Sequence, residues 1–299
     1  APDGRSIAFK LRPGVRWHDG QPFTSADVAF SALEAWKKYH SRGRSTFAFV
    51  DAVDTPDPLT AVFRLSRPAP YLLAALMSSV EAQIIPRHIF GGGDIMSNPA
   101  LNAPIGTGPF RFVRWDRGSQ IVLERNPDYW DAPRPYLDRV ILRFIPDGSA
   151  NAAALETGEV HVGLSVPFSD IERLGRQPAL VVRRQTLSYA ASVNVLGFNL
   201  DRPALRDVRV RRAFAHAIDR DFIVRNIWRG LATAVDTPIP PAVPEFFSAD
   251  VPHYTFDLAR AEALLQEAGL PRNARGVRLS LVNEPAPTGP LLPIAQHLR

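Results

Sequence analysis

The alternation of apolar and polar positions divides this chain into short strands and short helices. Ile7-Ala-Phe-Lys-Leu-Arg12 repeats every second residue, the period of a half-buried strand. Pro13-Gly14 and Asp19-Gly20 supply turns on either side of Val15-Arg16-Trp17. Thr24 and Asp27 have the spacing of a capping box, and Val28, Ala29, Ala32, Leu33 and Trp36 then fall on one helix face. Residues 60–65 read as a second strand, and residues 70–76 as a helix with proline in its first turn. Residues 110–115 and 120–125 predict a hairpin across Asp116-Arg-Gly-Ser119, followed by a strand over 139–145. A helix over 149–156 stops before Gly158. Further strands are expected over 193–200 and 277–282. Asp207 caps a helix carrying Val210, Ala213, Phe214, Ala217 and Ile218 on one face, and residues 221–229 continue as helix up to Gly230. Asp257 caps a last helix, with Ala261, Leu264, Leu265 and Ala268 inward and Gly269 as its left-handed stop. Strands and helices mix without strict βαβ alternation, so the fold class is mixed α/β.

Composition bounds what such a chain can be. With 299 residues, 45% hydrophobic and 22% charged, it can bury a full core and fits about two domains. Its apolar runs, such as Tyr71 to Met77, stop far short of the roughly 20 residues of a membrane span. Having no cysteine, it forms no disulfide or thiolate metal site and has no cysteine nucleophile. Its 28 prolines predict many turns and extended connections, and the Gly/Pro-rich stretch from Gly91 to Gly108 is the best candidate boundary. The net charge of +5 raises the question of nucleic acid. However, basic and acidic residues are interspersed, and the densest cluster, Arg206-Asp-Val-Arg-Val-Arg-Arg212, reads as a solvated helix face.

The chemistry of catalysis is missing from the motifs. The histidines at 18, 40, 88, 161, 216, 253 and 297 never recur at the four-residue spacing that puts two metal ligands on one helix face. There is no Gly-x-Ser-x-Gly elbow, no Walker loop and no calcium-loop ladder of acids. Gly106-Thr-Gly-Pro109 lacks the third glycine of a dinucleotide fingerprint. Neither a cofactor nor an enzymatic activity is expected.

An ordered string of motifs is more specific. Phe9-Lys-Leu-Arg-Pro-Gly-Val-Arg-Trp-His-Asp-Gly20 with Pro22-Phe-Thr-Ser-Ala-Asp-Val28 resembles the opening signature of family 5 extracellular solute-binding proteins of ABC importers, the dipeptide, oligopeptide and nickel-binding type. Pro104-Ile-Gly-Thr-Gly-Pro-Phe110 and Leu123-Glu-Arg-Asn-Pro-Asp-Tyr-Trp130 resemble its central pair. Leu155-Glu-Thr-Gly-Glu-Val160 is similar to a further element, with His161 where an aspartate is usual. Phe198-Asn199, Asp207-Val-Arg-Val-Arg-Arg-Ala213, Ala217-Ile-Asp-Arg220 and the helix from Asp257 to Gly269 complete the resemblance.

The resemblance implies a periplasmic-binding-protein type II (Venus-flytrap) fold with an extra domain and an incomplete second lobe. In that plan residues 1–107 form the extra domain, 108–206 part of the first lobe, and 207–299 the start of the second. The chain is then an internal segment lacking both ends, with Leu264, Leu265 and residues 277–282 partly uncovered. The implied function is capture of a small peptide or similar solute for an ABC permease, by a protein that is monomeric when full length. Its place would be the periplasm or the outer face of the cytoplasmic membrane. A metal-chelate or opine-like ligand is the alternative within the family, and a peptide-directed enzyme or chaperone the alternative outside it. Most motif residues have structural readings: Gly14, Gly20, Gly106 and Gly108 in backbone conformations that need no side chain, and Trp17, Tyr129 and Trp130 in packing. By position in the family, the ligand-binding candidates are Phe47, Phe49, Tyr189, Ser192 and Asn194. Aromatic rings and amides suit a peptide's apolar side chains and backbone.

Overall fold

In the computed structural model, residues 2–77, 82–164, 166–183, 193–282 and 294 are described. The chain divides into two compact units, Ala1–Ile145 and Pro146–Arg299. No helix among the described residues is long and apolar enough to cross a membrane.

The first unit is built on two three-stranded antiparallel sheets. Strands β1 (Ser6–Lys10), β2 (Val50–Asp57) and β3 (Thr60–Leu65) are ordered β1-β3-β2. Ala61, Phe63 and Leu65 alternate inward from the central β3, which places them on one face of the pleat. Against that face packs α1 (Ser25–Phe30), which continues through a π-helical turn at Ser31–Trp36. Val28, Ala32 and Trp36 are its buried side chains, so the predicted apolar stripe is the one buried. Trp36 lies between Phe47 and Phe63, with ring centroids 5.0 and 6.4 Å away.

The start of α1 is fixed by Asp27, which is 4% exposed. Its carboxylate accepts the Thr24 amide at 2.9 Å and, from 60 residues further on, the Arg87 amide at 2.9 Å. Further bonds tie the same returning segment to the helix: Ile85 N–H donates to the buried Ser31 Oγ (2.9 Å), Ser31 Oγ donates to the Ile85 carbonyl (3.3 Å), and the Trp36 indole donates to the Gln83 carbonyl (2.7 Å). The segment has no ladder of its own, and these bonds satisfy polar groups that would otherwise be buried without partners.

Strand β2 has no counterpart in the sequence reading. Val50 and Val53 are its inward residues, three positions apart, because the register with β3 shifts between Val50 and Ala52 and again between Asp54 and Asp57. The irregularities erase the two-residue period that identifies a strand. The sheet of β4 (Phe110–Asp116), β5 (Gln120–Arg125) and β6 (Arg139–Arg143) is a simple meander, with the hairpin where it is predicted.

The second unit is helical where it is regular. Helix α2 (Gly148–Glu156) is capped by Asp147, whose carboxylate accepts from Ala150 N at 2.7 Å. It packs on α3 (Phe168–Gly175), and Arg173 of α3 forms an ion pair with Glu156. Helices α4 (Val208–Ala217) and α5 (Leu258–Glu267) pack through Ala213, Ala261 and Leu264. Asp207 and Asp257 are the predicted caps, and Gly269 terminates α5 at φ +77°. Four expectations need correction. Residues 193–200 and 277–282 are not strands, since no neighbour among the described residues pairs with them. Ile218 lies outside α4, because its backbone turns extended at ψ 113°. Leu264 is 4% exposed and not uncovered, because α4 covers it.

Candidate functional site

The motifs of the first unit converge on one another. The Gly108 carbonyl accepts from the Asn126 side-chain amide at 3.1 Å and lies 3.0 Å from His18 Nε2. Asn126 is 5% exposed and also receives the Asp128 amide on its Oδ1. The turn at residues 17–20, the Gly-Thr-Gly-Pro loop and the Asn-Pro-Asp-Tyr-Trp turn therefore meet at a single peptide group. Gly14 and Gly20 have φ of +75° and +85°, as a left-handed turn requires. Gly106 and Gly108 are not in the left-handed region, and a Cβ would meet His18 Cε1 at an ordinary 3.4 Å at Gly106 and no atom within 4 Å at Gly108, so the expected backbone requirement holds for Gly14 and Gly20 but not for these two. Trp17 is 3% exposed, with an edge contact to Phe23. Trp130 is partly exposed beneath the Arg12 guanidinium, 4.3 Å from the ring.

Beside this junction, Asp19 accepts from His88 Nε2 at 2.6 Å and from the Gln21 amide at 3.1 Å. Partial burial pushes its carboxyl up, but the His88 bond and the Gln21 amide outweigh that and hold it below the usual carboxylate value. Asp219 caps the next turn by accepting from Phe222 N. Arg211 donates to the Leu205 carbonyl of its own segment, while Arg209 pairs with Asp207 and also donates to the Glu267 carbonyl at the end of α5, 2.6 Å away.

The ligand-binding candidates lie in different environments. Phe47 is 1% exposed and fully enclosed by the core of the first sheet, so its ring has no surface to offer a ligand in this structure. Phe49 is half-buried and presents a face to the Arg67 guanidinium, 3.8 Å away. Asn194 is exposed in the second unit. Tyr189 and Ser192 lie outside the described residues.

Sequence reasoning misses two surface depressions, because each gathers residues from distant segments. One, in the first unit, is bordered by Glu34, Tyr39, Arg87 and the glycine loop at 91–93. The other, in the second unit, is bordered by Phe214, Leu265 and Val277, with Glu262 between Arg272 and Arg278. The Arg278 hydrogen bond, joined by Arg272, holds the Glu262 carboxyl below its ordinary value. Among the described residues no cluster of His, Asp and Glu could hold a metal ion.

Known proteins are similar to this chain in sequence and fold. The family model described as bacterial extracellular solute-binding proteins, family 5 Middle, matches residues 1–297. The chain is 32% identical over 276 residues to the oligopeptide-binding protein AppA of Bacillus subtilis, covering 89% of this chain and 49% of that protein. Among solved structures it is similar to NikZ of Campylobacter jejuni in complex with Ni(L-His), with a TM-score of 0.80 and 27% identity over 92% of this chain and 54% of that one. It is also similar to the periplasmic binding protein DppA of Helicobacter pylori in complex with the peptide STSA, with a TM-score of 0.76 and 29% identity over 91% and 56% of the two chains. The chain spans about half the length of the curated relatives it matches.

Proposed function

From the premise that the chain belongs to the bacterial extracellular solute-binding proteins of family 5, with a periplasmic-binding-protein fold, we propose that its protein is the substrate-binding component of an ABC importer. It captures a small peptide or similar solute in the periplasm or at the outer face of the cytoplasmic membrane and delivers it to the permease. The observation that carries this reading is the match of about nine-tenths of the chain to an oligopeptide-binding relative. Residues 1–107 serve as the extra domain, 108–206 as part of the first lobe, and 207–299 as the start of the second. Closure of the lobes selects and buries the ligand, and the closed form engages the permease. The protein acts as a monomer and performs no catalysis, in keeping with the absence of a nucleophile or metal motif in the sequence. Among the described candidates, Phe49 and Asn194 are not enclosed in a core, and each is a ligand-contact candidate within its own unit.

A metal-chelate ligand is the second reading, favoured by the similarity to NikZ in its complex with Ni(L-His). Native mass spectrometry of the whole protein taken from its source, followed by calorimetric titration, separates the two. The expected result is an intact peptide in the complex and a Kd of about 1 μM or tighter, roughly 8 kcal/mol. Retention of a nickel–histidine or opine species with no peptide binding would move the assignment to the second reading or to an opine. Cleaved peptides would replace the binder with an enzyme on the same scaffold.

A further inference from the structure

The junction at Gly108 places both nitrogens of one imidazole against backbone groups of fixed polarity. The Gly106 N–H lies 3.1 Å from His18 Nδ1, and the Gly108 carbonyl lies 3.0 Å from Nε2. An amide N–H can only donate and a carbonyl can only accept, so Nδ1 must carry a lone pair and Nε2 the proton. Together the two bonds specify a neutral ring in one tautomer. They hold the turn that follows β1 to the loop that precedes β4, next to a backbone bond from His18 N to Gly106 O at 2.9 Å.

We propose that His18 is an acid-released latch: a proton on Nδ1 sets two donors face to face at Gly106 and loosens the loop at 106–108 from the turn at 17–20. The surroundings set the direction of the response. Burial of the ring disfavours its charge, and Arg111 on β4 opposes it further, even with Glu124 paired to that arginine at 3.0 Å. The Gly108 carbonyl and Asp19 favour the charged ring, but Asp19 is already engaged by His88 from the short helix Arg87–Phe90. Burial prevails, and His18 is held below the ordinary histidine value of 6.5. With its folded pKa depressed, the contribution of the latch is complete above about pH 6.5 and is lost as the pH falls through the folded value. The bond from His18 N to Gly106 O and the Asn126 bond to Gly108 do not titrate, so acid loosens the loop without detaching it. This inference stands independently of what the protein binds.

Hydrogen exchange on the whole protein tests it. Between pH 7.5 and 5, after correction for intrinsic exchange, the protection factor of the Gly106 amide should fall at least tenfold. In His18→Asn, whose carbonyl can accept the same amide without titrating, the change should stay below twofold. Equal falls in both proteins, or no fall in the wild type, would overturn the latch. A ring titration by NMR needs no variant: a neutral Nε2–H tautomer with a pKa below 6.5 supports the proposal. An Nδ1–H tautomer, or a pKa at or above 6.5, refutes it.

Discussion

Replacing Phe47 by alanine is expected to lower the stability of the first unit by about 3–5 kcal/mol while leaving the ligand affinity of the folded protein unchanged. The ring is 1% exposed and packs on Trp36 at 5.0 Å, within the cluster that also holds Val50, Phe63 and Leu72. Removing it opens a cavity between α1 and the sheet, and the indole loses the partner on one face. Denaturant unfolding should show a lower midpoint at an unchanged slope, the signature of lost stability without a change in exposed surface. The neighbouring substitution Phe49→Ala should do the opposite. Its half-buried ring sits at the margin of the same cluster, so stability falls less than in Phe47→Ala, and ligand binding weakens at least tenfold, about 1.4 kcal/mol. A Phe47→Ala protein with unaltered unfolding and weakened binding would place that ring in the pocket and not in the core.

The contrast between these two phenylalanines shows what the sequence could express. Family position singles out both residues, but only the return of β2 and β3 around Phe47 determines which ring is enclosed. Local patterns were legible where one element obeys one period: β5 at Gln120–Arg125, the stripe of α1, and the caps at Asp207 and Asp257 coincide with expectation. β2 was illegible because two register shifts break its period. Residues 193–200 misled for the opposite reason: Val193, Val195 and Phe198 are apolar enough for a strand, yet a strand also needs a partner, which no local pattern reports. The family motifs were legible as an ordered string. What joins those of the first unit, convergence on the Gly108 carbonyl from positions 18 and 126, depends on contacts 90 and 18 residues apart.

A contact of the same long-range kind gives the second large effect, at Asp27. Alanine at this position should destabilise the protein by about 2–4 kcal/mol, since two amides would lose their acceptor at roughly 1–3 kcal/mol each where they stay shielded from water. One is the Thr24 amide at the start of α1, and the other is the Arg87 amide, both at 2.9 Å from the carboxylate. Asparagine keeps the size and one acceptor oxygen, so it should recover one of the two bonds and about half of the loss. The damage should also have a location. With the Arg87 amide released, residues 83–87 are still tied to the helix by bonds that include Ile85 N to Ser31 Oγ, Ser31 Oγ to the Ile85 carbonyl and Trp36 Nε1 to the Gln83 carbonyl, but these leave the Arg87 end without its acceptor. Exchange at Arg87 and proteolysis across 83–91 should therefore accelerate more than exchange in β5, whose ladder with β4 and β6 does not involve Asp27. Denaturant titration and exchange on Asp27→Ala and Asp27→Asn provide the measurement. A loss below about 0.5 kcal/mol in the alanine variant, the level of an ordinary surface substitution, would mean that water replaces the carboxylate and that Asp27 is not what joins the returning segment to α1.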